Sequence, residues 1–207
     1  GQHPVKTNFT NVLGAGIPKT ESKRNKLVSP YYNDHMPAET LTLAEALRDN
    51  GYKTGHVGKW HLGSYKDNAP LATGFDFSYD KRGVHKNSKQ RHKEFDSKSF
   101  PLSKEKYPPY SKKNPEGISY PLDEVTENAL SFVQKNKAEP FFLYLAHWMV
   151  HVPIITKNKA LLEYYTDKLN IPFPTTADPV TTEGQTNPYY GAMVTTVDWS
   201  LGRLVSL

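Results

Sequence analysis

The chain has 207 residues, 37% of them hydrophobic, which is enough to build one domain with a sizeable core. It contains no cysteine, which argues against a disulfide framework, and no apolar run near the roughly 20 residues needed to cross a bilayer, so no membrane span is expected. The formal net charge of +5 suits an acidic partner, yet no helix-turn-helix, zinc-finger or RNA-stacking signature organises that charge, and nucleic acid is not the expected one.

Residues 1–40 are rich in Gly, Pro, Lys and Asn and read as loop with short helical turns. Thr42 and Glu45 have the spacing of a capping box, and Leu43, Ala46 and Leu47 repeat at helical spacing before Gly51, a residue suited to follow a helix end. Residues 51–63, GYKTGHVGKWHLG, then read as a strand ending in a loop that carries Lys59 and His61. On alternate positions of an extended segment the two side chains share one face and could grip one tetrahedral anion, the chemistry of a sulfate or phosphate ester site. The plainer alternative is a buried strand whose lysine snorkels and whose histidine is a satisfied core residue.

Residues 71–77 form a short apolar, aromatic segment. Residues 81–113 are crowded with Lys, Arg, Ser, Pro and Tyr without an apolar period, as in a surface loop or insertion: either a solvated segment or a basic rim for a polyanionic substrate. Pro121 suits the first turn of a helix striped by Leu122, Val125, Ala129, Phe132 and Val133, which ends near residues 135–137. Pro140 breaks it, and residues 141–146, FFLYLA, have the continuous apolar character of a strand buried on both faces. The loop after that strand carries His147 and His151. Their spacing of four would suit a metal pair on a helix, but a strand exit followed by Pro153 does not give that geometry, and His147 reads as structural. His3, His35, His56, His85 and His92 belong to no evident constellation.

Residues 157–188 read as a helix-containing excursion and a Pro/Thr-rich loop. A last helix follows, with Tyr190, Met193, Val194, Val197, Leu201 and Leu204 as its core stripe. Helices alternating with strands predict an α/β fold with a central mixed or mainly parallel sheet covered by helices. Ligands of such sheets gather where strands end and loops begin.

Residues 42–63, TLAEALRDNGYKTGHVGKWHLG, resemble the second signature of the sulfatase family, the arylsulfatase-type enzymes of the alkaline phosphatase-like superfamily. Residues 74–76 resemble the family's Gly-Phe-Asp element, and His151 with Pro153 resembles its His-x-Pro element. The first four residues resemble those that follow the family's nucleophile signature, and residues 189–203 resemble the helix that leads to an Asp-Asn metal pair. The resemblance thus implies that residues 1–207 are the central part of a sulfatase catalytic domain, truncated at both ends, with a basic surface insertion near 81–113.

It further implies a sulfuric ester hydrolase whose formylglycine nucleophile and Ca2+ (or another divalent cation), with its ligands, lie outside this chain. By resemblance Lys59 would bind the sulfate, His61 would hydrogen-bond the nucleophile and help expel sulfate from the covalent intermediate, and His151 would contact the sulfate and protonate the leaving alcohol. A sulfated glycan is a possible substrate, and a periplasmic, secreted or lysosome-like location is implied. Two alternatives stay open: a phosphonate or phosphate monoester hydrolase of the same superfamily, and an inactive anion-binding fragment as the chain stands.

Overall fold

The computed structural model describes residues 3–9, 32–33, 35–63, 66–81, 120, 123–151, 154, 156, 158–173 and 186–207. A one-turn helix α1 (Pro4–Thr7) precedes α2 (Leu43–Asp49), whose capping box forms as the sequence predicts: the Thr42 hydroxyl accepts from the Glu45 N–H while the Glu45 carboxylate accepts from the Thr42 N–H. Gly51, at φ +86°, turns the chain out of the helix into β1 (Lys53–Gly58).

β1 is the middle of a three-stranded sheet, order β2-β1-β3, with β2 (Phe77–Tyr79) and β3 (Phe141–Ala146) both parallel to it. The register sets Gly55 beside Phe77 and Leu143, and His56 beside Ser78 and Tyr144. Side chains alternate across a strand, so one face carries Val57, Phe77, Tyr79, Leu143 and Leu145, and α3 (Glu124–Asn136) covers it with Val125 and Ala129. Gly55 leaves room there for the Phe132 ring, which stacks on Phe77.

The start of α3 is set by Asp123, whose carboxylate accepts from the Val125 and Thr126 N–H groups. Pro121 and Leu122 lie outside the described residues, as does the basic stretch beyond Lys81. β3 departs from the expectation of burial on both faces: Tyr144 is 46% exposed, because helix α3 covers one face only and the Phe142 and Tyr144 side stays partly open.

Two further helices, α4 (Lys159–Leu169) and α5 (Pro188–Val205), pack on each other around Leu161, Ala192 and Trp199, with Tyr120 stacked on Trp199 at 4.5 Å between centroids. The core stripe expected on α5 is corrected in part: Met193 is buried and Leu204 packs on the Val57 cluster as expected, but three other members are not buried. Tyr190, Val194 and Leu201 are 45%, 46% and 47% exposed, whereas Tyr189, Ala192, Met193, Thr196, Trp199 and Ser200 are buried. Both sets keep helical spacing, but the buried one includes a threonine and a serine, which hydrophobicity counting passes over and which here have hydrogen-bond partners. No helix among the described residues is long and apolar enough to cross a membrane.

Candidate anion site

Parallel pairing brings the ends of β1 and β3 to the same sheet edge, with Gly58 level with Ala146. Gly58 adopts φ +106°, and a Cβ there would collide with the Ala146 carbonyl oxygen, so only glycine lets the chain leave β1 this close to β3. The next residue closes the junction: the Lys59 N–H donates to the Ala146 carbonyl at 2.6 Å. The loop beyond is held at two more points, Trp60 Nε1 donating to the Asn68 carbonyl at 2.8 Å and the Met36 N–H to the Leu62 carbonyl at 2.8 Å.

The loops leaving these two strands carry the residues expected from the sequence. Lys59 Nζ lies 5.1 Å from the centroid of the Trp148 ring, and Trp148 meets His151 edge-on, 6.1 Å between centroids at 74°. His61 is held below the ordinary histidine value of 6.5, first by partial burial, then by the positive charge of Lys59 and then by His151. The contacts through Trp148 thus join the two loops, although about ninety positions separate the two motifs in the sequence.

One expectation needs correcting. β1 stops at Gly58, so Lys59 and His61 lie in the loop and do not share a pleated face; the anchored loop, not the strand period, brings them together. A cavity of about 500 Å³ opens on the side of the sheet opposite α3, walled among others by Lys59, Trp60, His61, Phe142, Tyr144 and His147. His151 is not part of that wall.

His147 is tied to the helices. Its Nε2 is 3.0 Å from Ser200 Oγ, which is 2.8 Å from Thr126 Oγ1, which is 2.6 Å from Asp123 Oδ2. A carboxylate only accepts, so the protons run one way, from His147 Nε2–H through the Ser200 and Thr126 hydroxyls to Asp123. Burial pushes the His147 imidazole to a lowered pKa, against the pull of Asp123. The structural reading of His147 and its place beside the cavity are thus both visible in one side chain.

His56 is the residue that sequence reasoning missed. It is fully buried, opposite Ser78, with its ring among Trp60, Phe75 and Tyr144. The available signal was parity, since His56 lies on the strand face opposite Val57 and two residues before the exit glycine. Among the described residues no three His, Cys, Asp or Glu side chains come together as a metal site, so they do not by themselves hold a divalent cation.

An ammonium and two imidazoles thus stand at the C-terminal edge of a parallel α/β sheet, the edge at which such sheets bind ligands. The chain belongs to the sulfatase family, whose model matches residues 7–207, and with it to the alkaline phosphatase-like superfamily. It is 34% identical over 155 residues to an arylsulfatase of Hemicentrotus pulcherrimus, covering 62% of this chain and 25% of that protein. It is 30% identical over 141 residues to arylsulfatase G of Homo sapiens, covering 58% of this chain and 27% of that one. The chain therefore spans about a quarter of the length of these relatives. Among solved structures, that of Ps i-CgsB superposes with a TM-score of 0.51 at 24% identity, over 83% of this chain and 37% of the other, a likeness of fold.

Proposed function

We propose that the full-length protein hydrolyses sulfate monoesters and that Lys59, His61 and His151 act on the ester. The observation that carries this reading is the meeting of the two loops: the Lys59 N–H is bound to the Ala146 carbonyl, and its ammonium lies 5.1 Å from the ring of Trp148, which in turn meets His151 edge-on. The sulfatase and arylsulfatase relationships support the reaction class. A formylglycine nucleophile and a divalent cation, in the family usually calcium, would come from segments outside this chain; they would supply the attacking oxygen and added positive charge.

The residues present divide the remaining work by charge. Lys59 offers a fixed ammonium to the sulfate oxygens, where negative charge must be neutralised without help from bulk water. His61, whose pKa is lowered by burial and then by Lys59 and His151, can in its neutral form accept a proton from a hydroxyl at the site. His151 is exposed, and in its imidazolium form it can give the leaving alcohol its proton as the sulfur–oxygen bond breaks. For the substrate we propose a sulfated glycan or another polyanion, on the excess of Lys and Arg along residues 81–113.

The test is turnover of para-nitrophenyl sulfate by the full-length protein, co-expressed with a formylglycine-generating system, beside para-nitrophenyl phosphate and a phosphonate ester. Sulfate should be preferred, and Lys59→Ala should lower kcat by about 100-fold or more, as expected for the loss of a group that stabilises developing charge. A preference for the phosphate or phosphonate, or indifference to Lys59→Ala, would overturn the assignment.

A further inference from the structure

We propose that His56 is a positioning residue of this site: its neutral imidazole, braced by Ser78 of β2, fixes the carbonyl of Lys59 and thereby the direction in which the loop bearing Lys59 and His61 leaves β1. This rests on the sulfate ester reading above and adds a residue that the sequence did not single out.

Both backbone polar groups of Lys59 are committed. Its N–H is bound to β3 through Ala146, and its carbonyl lies 3.3 Å from His56 Nε2. A carbonyl can only accept, so Nε2 carries the proton and donates. The other ring nitrogen must then accept, and Ser78 Oγ lies 3.0 Å from Nδ1, where its hydroxyl donates. Ser78 is there because the parallel register of β2 sets it directly opposite His56. A hydroxyl can donate or accept, so the Lys59 carbonyl sets the tautomer and Ser78 braces the other nitrogen; a ring protonated on Nδ1 would instead turn the bare lone pair of Nε2 toward the Lys59 oxygen.

The ring itself has little freedom. Trp60 meets it edge-on at 5.1 Å and 77°, Phe75 lies at 5.6 Å, and Tyr144 of β3 lies at 5.9 Å. A fully buried imidazole with a partner for each nitrogen and aromatic neighbours from three segments is a rigid strut. One end rests on β2, and the other holds the residue whose ammonium approaches Trp148. Loop placement matters because catalytic groups act only within a narrow range of distance and angle.

The experiment uses the full-length protein with His56→Gln, His56→Leu and Ser78→Ala. Glutamine keeps a donor and an acceptor on one amide, whereas leucine keeps only bulk. His56→Leu should lower kcat/KM for para-nitrophenyl sulfate by about 100-fold, mainly through kcat, with His56→Gln recovering most of the loss, the pattern of a displaced catalytic loop. Nitrogen NMR of the imidazole should find His56 protonated at Nε2 in the wild type, with the Nδ1 resonance shifted in Ser78→Ala as its hydrogen bond is lost.

An Nδ1–H tautomer in the wild type, or full activity in a folded His56→Leu variant, would overturn the proposal. If the wild type cleaves no sulfate ester, the functional reading fails while the positioning role remains decidable. In that case the tautomer, and the Lys59 amide shift in His56→Gln against His56→Leu, still report whether the imidazole holds the loop. A Lys59 amide unmoved in either variant would end the proposal.

Discussion

Replacing Ser200 by alanine probes the link between the helical layer and the loop after β3. Ser200 is fully buried on α5 and stands between Thr126 Oγ1 at 2.8 Å and His147 Nε2 at 3.0 Å. Thr126 keeps its bond to Asp123 in the variant, and Asp123 keeps its bonds to the first turn of α3, so the helix cap survives. The damage falls on His147. Its buried Nδ1 already has no hydrogen-bond partner, and without Ser200 its Nε2–H has none either. Leaving one buried donor unsatisfied costs about 1–3 kcal/mol, against roughly 1 kcal/mol for a hydrogen bond removed cleanly with both partners. Ser200→Ala should therefore lower the unfolding free energy by about 1–3 kcal/mol in urea. Because the removed bond holds the loop that leads to His151, kcat/KM should also fall in the full-length protein. A Ser200→Ala variant within about 0.5 kcal/mol of wild type, the range of an ordinary surface change, would refute the relay.

Three further outcomes follow from the charges. His56 and His147 are both held below their ordinary value of 6.5, chiefly by burial, so the unfolded chain binds more protons than the native one once the pH falls below 6.5. Their contribution to stability is complete above 6.5 and is lost as the pH drops through the native values, so the urea midpoint should fall between about pH 7 and pH 5, and His56→Gln should flatten that slope; a midpoint that rises on acidification contradicts the assignment. Lys59→Met and His151→Asn should each raise the His61 titration followed by NMR, with less effect at high salt, and an unchanged His61 would separate the two loops electrostatically. Trp148→Leu should weaken the hold on the Lys59 ammonium by about 0.5–1 kcal/mol and raise KM roughly two- to fivefold, while Trp148→Phe keeps the ring face; equal behaviour of the two variants would deny the contact its role.

Local chemistry alone determined much of this protein. The capping box at Thr42 and Glu45, the glycine that ends α2, and the apolar run of β3 depend on neighbours within a few residues, and each is found where the sequence puts it. The residues proposed for the site were picked out for the same reason, since Lys59, His61 and His151 lie close to glycines or a proline that mark strand exits. What the sequence could not carry was anything settled between distant segments. The exposed Tyr144 and the rotated core stripe of α5 depend on which faces other elements cover, and residue type does not encode that. His56 looked like background because its partners, Ser78 and the Lys59 carbonyl, are supplied by strand register and by a backbone turn. Likewise the path from Asp123 to His147 crosses about seventy positions between Thr126 and Ser200, and only the packing of α5 on α3 closes that distance to 2.8 Å.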